Sequence, residues 1–504
     1  MDKLVLASQM SAIDKRTQEE YAIPGLILME NAGLNALNTL VNDIWQSRPI
    51  PGIYAFLVGR GNNGGDALVM ARQFYCRGKR ELVIILGHGE PEAQSLAACN
   101  LASCRALGIS VLDYIQQKTE AENILNKATV IFDGLLGTGL SGEIRQPLKE
   151  IVSLCNSLSA LKIALDLPSG LGDEYKSSYL AFKADYTLSF GLPKKACYLP
   201  HARPYCGQLF LIDICLPPSL KKDPSLKSEL YSYNDFGRLL PSLSPTAYKN
   251  SRGHCAVFAG SPGTSGAALL ASEAAARTRC GLVTLFTDPA VWPSCASQLK
   301  SVLCQSLVLE KLSALNITKS FSSLLVGPGL GLGEEKMAVL KFILQETDLP
   351  LVIDADGLTL LAQLKPRLHH LNRPLVLTPH PGELARFFGL TSQVVLEDPW
   401  HFSQRLADEL KAVCVFKSHV SLICDPQGRQ AVCDGLNPAL GTAGSGDVLA
   451  GLIAGFLGQG IDPFHSALLG VLVHHECGRK AFAQKGWFLA EDLLTFISEV
   501  VKGF

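Results

Sequence analysis

The chain runs to 504 residues, more than one hydrophobic core supports, and fits two or three domains. Hydrophobic residues make up 47% and charged ones 18%, a globular and rather apolar balance that excludes a disordered chain. The net charge of −1 excludes a nucleic-acid binder working through bulk electrostatics.

The apolar runs, such as Leu82-Val83-Ile84-Ile85-Leu86, are strand-sized and stop at charges or glycine, so no membrane span is expected. Met1-Asp2-Lys3-Leu4 lacks the basic start and apolar stretch of a secretory leader. The 15 cysteines are scattered without a Cys-x-x-Cys pair and read as small buried hydrophobes in a reducing cytoplasm. His369-His370 and His474-His475 are adjacent pairs pointing to different faces, which reads as surface or core histidines rather than a zinc site.

Ala7–Tyr21 has the pattern of an amphipathic helix, followed by Pro24-Gly25 and a second helix through Met29-Glu30-Asn31-Ala32-Gly33. Strand patterns follow at Ile53–Val58, Leu82–Leu86, residues 129–132 and 162–165, Tyr186–Phe190 and Gln208–Ile212. Alternation with helical segments predicts a mostly parallel sheet with helices on both sides. Ile53–Val58 feeds Gly59-Arg60-Gly61-Asn62-Asn63-Gly64-Gly65-Asp66, after which a helix is expected over residues 67–75. Its glycines permit close backbone approach to phosphate, and the spacing departs from the Gly-x-Gly-x-x-Gly of hydride-transfer cofactor sites. Later strands lead into Asp133-Gly134-Leu135-Leu136-Gly137-Thr138-Gly139-Leu140-Ser141-Gly142-Glu143 and Asp166-Leu167-Pro168-Ser169-Gly170. Ligands gather at the carboxyl ends of parallel strands, so the three loops are expected to share one crevice. There Asn63, Asp133, Asp166 and Ser169 would offer oxygens to a hard cation, or a carboxylate for proton transfer. The competing reading makes each glycine cluster a tight turn and Asp66 a helix cap.

Residues 217–245 carry proline, lysine and serine without periodicity and place the domain boundary, giving residues 1–220 and 221–504. The second half opens with a strand at residues 255–259 running into Gly260-Ser261-Pro262-Gly263-Thr264-Ser265-Gly266-Ala267-Ala268. Strands follow at 282–286, 324–326, Leu351–Ile353, Leu375–Leu377, Val413–Phe416 and 421–424. Three strand ends carry Gly327-Pro328-Gly329-Leu330-Gly331, Asp354-Ala355-Asp356-Gly357 and Thr378-Pro379-His380-Pro381-Gly382-Glu383. His380, fixed by flanking prolines, reads as a substrate contact. Asp354 and Asp356 either orient a magnesium ion through water or cap a turn. Lys417, before Ser418-His419-Val420-Ser421, either meets a nucleotide or ends a strand in solvent. Finally, Gly444-Ser445-Gly446-Asp447 opens an apolar helix, placing a carboxylate beside the positive end of a helix dipole. That suits deprotonating a hydroxyl or stabilising a leaving phosphate. The halves share a fold class but no residue-level repeat, so they read as a fusion.

Taken together and in this order, the motifs make the chain similar to the bifunctional NAD(P)H-hydrate repair enzymes over nearly its whole length. The resemblance implies a Rossmann-like three-layer αβα sandwich with epimerase activity, joined to a ribokinase-like α/β domain with ADP-dependent dehydratase activity. It implies potassium held by Asn63, Asp133 and Ser169. Hydrated NADH or NADPH would lie against Asn62, Asn63, Gly64, Gly65 and Asp66, against Gly137, Thr138, Gly139, Leu140, Ser141, Gly142 and Glu143, and against the acid/base Asp166. In the second domain the hydrated cofactor would meet Ala267, Gly329, His380 and the catalytic Asp447. ADP, with magnesium, would lie along Lys417, Ser418, His419, Val420, Ser421 and Gly446. A cytoplasmic homo-oligomer is implied, the apolar Ile27-Leu28-Met29 stretch serving as a dimer seam or as internal packing.

The chain departs from the family pattern in places. Ala67 replaces a glycine and is expected to narrow the pocket slightly. Ser418 and Ser421 depart from a Lys-Gly start and a threonine end. Leu436-Asn437-Pro438-Ala439 replaces a more glycine-rich run, and Thr264 a frequent tyrosine. Two rivals stay open: a small-molecule kinase of ribokinase type in the second half, and a non-catalytic binding module in the first.

Overall fold

Alternate residues of the strand Ile53–Val58 face opposite sides of its sheet, and both sides are buried. Tyr54, Phe56 and Val58 join one apolar cluster, while Ala55 and Leu57 join the other. A strand buried on both faces needs a helical layer above and below, which makes three layers. The computed structural model describes residues 1–314, 317–364 and 373–502. The His369-His370 pair lies outside the described residues. The chain divides into two compact units, residues 2–228 and 229–504.

In the first unit seven parallel strands lie in the order Ser110–Asp113, Leu82–Leu86, Ile53–Val58, Ala128–Gly134, Leu161–Leu165, Tyr186–Phe190, Gln208–Ile212. Strand order reverses between Ile53–Val58 and Ala128–Gly134, and ligands bind at such a switch point. Here the structure amends two expectations. Ala128–Gly134 carries Asp133 and Gly134 inside the strand rather than in a loop after it. The helix expected from residue 67 begins at Asn62 and runs to Cys76, so Asn62–Asp66 is its first turn and not a loop. Asn and Gly are poor helix formers, but close approach overrides propensity: a Cβ at Gly64 would lie 2.0 Å from the Gly59 carbonyl oxygen.

The second unit's sheet runs Gln430–Asp434, Val420–Cys424, Val413–Phe416, Leu375–Leu377, Leu351–Ile353, Ser323–Val326, His254–Phe258, Leu282–Thr287, Leu303–Ser306. The pairings are parallel except for the last hairpins, where Val420–Cys424 is antiparallel to both neighbours. Its switch point falls between His254–Phe258 and Ser323–Val326. The helix Ser445–Leu457 packs on the helix Ser265–Arg277, and small residues set the distance. A Cβ at Gly451 would meet the Ala271 carbonyl oxygen at 2.1 Å. Replacing helical Gly by Ala gains about 1 kcal/mol of propensity, whereas overpacking costs about 1–3 kcal/mol and the atom met is unyielding backbone. Gly451→Ala is therefore expected to lower the urea midpoint of the second unit; an unchanged midpoint would contradict this packing.

His474 and His475 lie on the helix Pro463–Lys485, and burial lowers their pKa values to about 4 and about 3, so both are neutral core histidines. Most of the 15 cysteines are buried. Among the described residues, no helix is long and apolar enough to cross a membrane.

Candidate active sites

At the first switch point a cavity of about 520 Å³ is lined by the ends of the central strands and by the helix Ala7–Tyr21. Asn62, Asn63, Asp66, Gly137, Thr138, Gly139, Leu140 and Asp166 line it. The other predicted residues lie elsewhere. Gly64 and Gly65, within the first turn of the helix Asn62–Cys76, pack against Gly59 and Met29. Ser141 donates a hydrogen bond to Glu174 at 3.3 Å, and Glu143 pairs with Lys149 at 2.6 Å on the surface. Ala67 is fully buried in the core beside Gly134, so its methyl group fills packing space and does not narrow the pocket.

Asp133, Ser169 and Asn63 form one buried network, as expected from separate strand ends. The Ser169 hydroxyl donates to Asp133 at 2.6 Å, and the backbone N–H groups of Ser169 and Leu135 donate at 2.7 and 3.2 Å. No ion pair holds Asp133 among the described residues, and burial raises its pKa to about 6 against those donors. Asn63 donates through Nδ2 to the Leu136 carbonyl at 2.8 Å, which leaves its Oδ1 buried without a partner. An orphaned amide oxygen, a hydroxyl and an uncompensated carboxylate make an oxygen-rich site that fits a hard monovalent cation.

Asp166 has a left-handed backbone at φ 62° and accepts from the Phe190 N–H at 3.1 Å and from the Lys194 ammonium. Such a conformation in a non-glycine residue stores strain and marks functional positions. Lys194, only 1% exposed, also donates to the Phe190 carbonyl. Asp66 is pushed well above the carboxylate range by burial, then by Asp166 and Asp14. Among the titratable lining residues, sequence reasoning missed Asp14, Lys15, Arg60, His88 and Lys194. Two of them left a signal. Asp14 falls on the buried stripe Met10, Ile13, Thr17 of its helix, and Lys194 follows the end of Tyr186–Phe190.

In the second unit Asp354, Thr378 and Lys417 follow three adjacent parallel strands, so register brings them together. The Thr378 hydroxyl donates to Asp354 at 2.7 Å and the Lys417 ammonium at 2.5 Å, with Glu383 3.8 Å from Lys417. Burial opposes the Lys417 charge, but Asp354, Glu383 and Asp447 outweigh it and raise the pKa. Asp447 stands in the first turn of Ser445–Leu457, after Gly444 at φ 90°. Burial and then Asp354 raise its pKa to about 7, with Lys417 opposing. A Cβ at Gly446 would lie 3.6 Å from the Lys417 ammonium, so the helix start and the cation adjoin.

At the switch point Ser261 and Thr264 donate to the Gly329 carbonyl at 3.0 and 2.7 Å, drawing Gly329 against the loop that opens the helix bearing Ala267. Thr264 thus acts as a loop tie. Asp356 accepts from the Gly331 N–H at 2.8 Å. His380 caps the helix Pro381–Phe388, its Nδ1 accepting from Gly382 and Glu383 N–H groups at 3.0 and 3.3 Å, and its side chain is 54% exposed. Val420 and Ser421 are buried strand residues, Ser421 facing His475 at 3.3 Å, whereas His419 is exposed. Asn437 caps the turn Pro438–Gly441 by accepting from the Ala439 N–H at 3.1 Å, which replaces the conformational freedom of a glycine-rich run.

Fold and sites define a two-domain α/β enzyme, a Rossmann-like unit followed by a ribokinase-like one. A family model described as the YjeF-related protein N-terminus matches residues 25–196, and one described as NAD(P)H-hydrate dehydratase matches residues 255–499. The bifunctional NAD(P)H-hydrate repair enzyme of Moorella thermoacetica is 32% identical over 519 residues, covering 99% of this chain and 96% of that one. That of Coxiella burnetii is 34% identical over 447 residues, covering 88% and 89%. The chain belongs to the family of bifunctional NAD(P)H-hydrate repair enzymes. Among solved structures, the second unit resembles an ADP/ATP-dependent NAD(P)H-hydrate dehydratase from Bacillus subtilis co-crystallised with ATP and Mg²⁺, at 27% identity, TM-score 0.50, and coverage of 54% and 97%. A ribokinase-like superfamily protein from Enterococcus faecalis is similar at 26% identity, TM-score 0.50, and coverage of 55% and 96%.

Proposed function

We propose that the chain repairs hydrated nicotinamide cofactors in two steps. The first unit interconverts the R and S forms of hydrated NADH or NADPH, and the second dehydrates the S form with ADP, giving AMP and phosphate. The observation that carries the second step is the place of Asp447, in the first turn of Ser445–Leu457 beside the Lys417 ammonium, where burial holds its carboxyl up at about 7, suited to taking a hydroxyl proton near neutral pH. Proton removal readies that oxygen for the phosphoryl group, and departure of phosphate, with loss of a proton from the neighbouring ring carbon, restores the ring double bond. Lys417 and the N–H groups at Gly446 would face the nucleotide's phosphoryl oxygens, and Asp354 and Asp356 would hold Mg²⁺ through water, neutralising phosphate charge.

In the first unit Asp166 serves as acid/base group. Potassium would be held by Asn63, Asp133 and Ser169, supplying the charge that Asp133 lacks. The exposed Leu26 and Ile27 support a homo-oligomer, whereas Leu28 and Met29 are buried at the cavity wall. A cytoplasmic location is part of the same reading. The rival reading, a small-molecule kinase, predicts a different product. With ADP, Mg²⁺ and a mixture of both hydrate epimers, the purified protein should restore dihydronicotinamide absorbance completely. A stable phosphorylated alcohol instead, seen by phosphorus NMR, would overturn the proposal.

A further inference from the structure

The epimerase cavity holds more proton-transfer capacity than Asp166 alone. Asp14 enters it from the helix Ala7–Tyr21, a different element from the strand end that carries Asp166. It stands on the helix's inward stripe with Met10, Ile13 and Thr17, where an apolar or neutral residue would pack at less cost. Its Oδ1 is buried and no hydrogen-bond donor reaches it. Buried carboxylate oxygens are ordinarily satisfied, so an orphan aimed at a cavity is placed for something that enters the cavity. The other charged or titratable groups on these walls are Lys15, Arg60, Asp66, His88, Asp166 and Lys194. Asp166 is paired with the buried Lys194 ammonium, and Asp66 is driven well above the carboxylate range. Asp14, raised to about 6 chiefly by burial, has no ion-pair partner among the described residues.

The reaction asks for two such groups. The hydroxyl of a hydrated dihydronicotinamide sits on the ring carbon beside nitrogen. To invert that carbon, an acid protonates the departing hydroxyl. The C–O bond breaks, water leaves, and the nitrogen lone pair forms a C=N bond. Water then adds to the opposite face, a base takes its extra proton, and the C=N electrons return to nitrogen. One water leaves and one enters, one proton is given and one taken, so no co-reactant is needed.

We propose that Asp14 is a second catalytic acid/base group of the epimerase, serving the ring face turned to the helix Ala7–Tyr21 while Asp166 serves the face turned to the strand ends. This rests on the epimerase function proposed above. The test starts from a single purified epimer of hydrated NADPH and follows the other by chiral chromatography, using full-length protein. Asp14→Asn should lower kcat ~10²-fold or more with KM within about threefold, and Asp14→Glu should recover part of the loss. A carboxyl whose folded pKa is raised contributes stability below its unfolded pKa and loses it as pH rises through about 6. Asp14→Asn should therefore melt at or above the wild-type temperature at pH 7.5, with the difference closing toward pH 4. Activity lost without stability is what a merely structural aspartate would not show. An Asp14→Asn enzyme within threefold of wild type, or one that loses activity and melting temperature together, would overturn the proposal. If wild type fails to exceed spontaneous epimerisation, the epimerase reading itself falls, and this inference with it.

Discussion

Asp447→Asn should abolish dehydration of the S hydrate, lowering kcat by about 10²–10⁴-fold, the usual contribution of a positioned general base. Epimerisation should be untouched, because it resides in the other unit. The sign of the pH effect follows from the direction of the shift. Burial and Asp354 keep Asp447 protonated up to about pH 7, so the wild-type rate should rise through that pH as the carboxyl ionises. The raised pKa also means that Asp447 contributes stability below its unfolded pKa and loses it on passing pH 7. The asparagine variant should thus be no less stable than wild type at pH 8. A variant that dehydrates normally, or a rate flat from pH 5 to 8, would remove Asp447 from the mechanism.

Asp166→Asn is expected to fail in two ways at once. Epimerisation should fall by about 10²–10⁴-fold, since the carboxylate at the strand end is gone. Lys194 would be left with no carboxylate partner, although its side chain is only 1% exposed. Breaking a buried ion pair from one side costs about 3–5 kcal/mol, partly offset here by the Phe190 carbonyl that Lys194 also contacts. The first unit should therefore unfold at lower urea, while dehydration of the S form persists. Asp14→Asn should show the same activity loss without that instability, and the contrast between the two separates an ion-paired aspartate from an unpaired one.

Much of this arrangement was legible in the residues. The strand patterns ending in Asn63, Asp133 and Ser169 placed three distant segments in one crevice, and the structure joins them through 2.6–2.8 Å contacts. Lys417 and Asp354 are 63 positions apart, yet they follow two parallel strands flanking Leu375–Leu377 and meet across its end. What escaped was set by packing rather than by pattern. Asn62–Asp66 reads as a loop by composition and becomes helix because Gly64 can press against Gly59. Ser110–Asp113, Leu303–Ser306 and Gln430–Asp434 are short strands with polar residues at outer positions, too weak in apolar content to stand out. Asp14 and Lys194 were overlooked because neither belongs to a glycine-rich motif. A charge on the buried face of an amphipathic helix was the available clue for Asp14.

The most direct test of two linked activities begins with the pure R hydrate, ADP and Mg²⁺. Wild type should convert all of it to dihydronicotinamide, Asp166→Asn only at the spontaneous rate of epimerisation, and Asp447→Asn should yield a mixture of epimers and no product. Persistence of the R form with wild type, under conditions where the S form is consumed, would contradict the account.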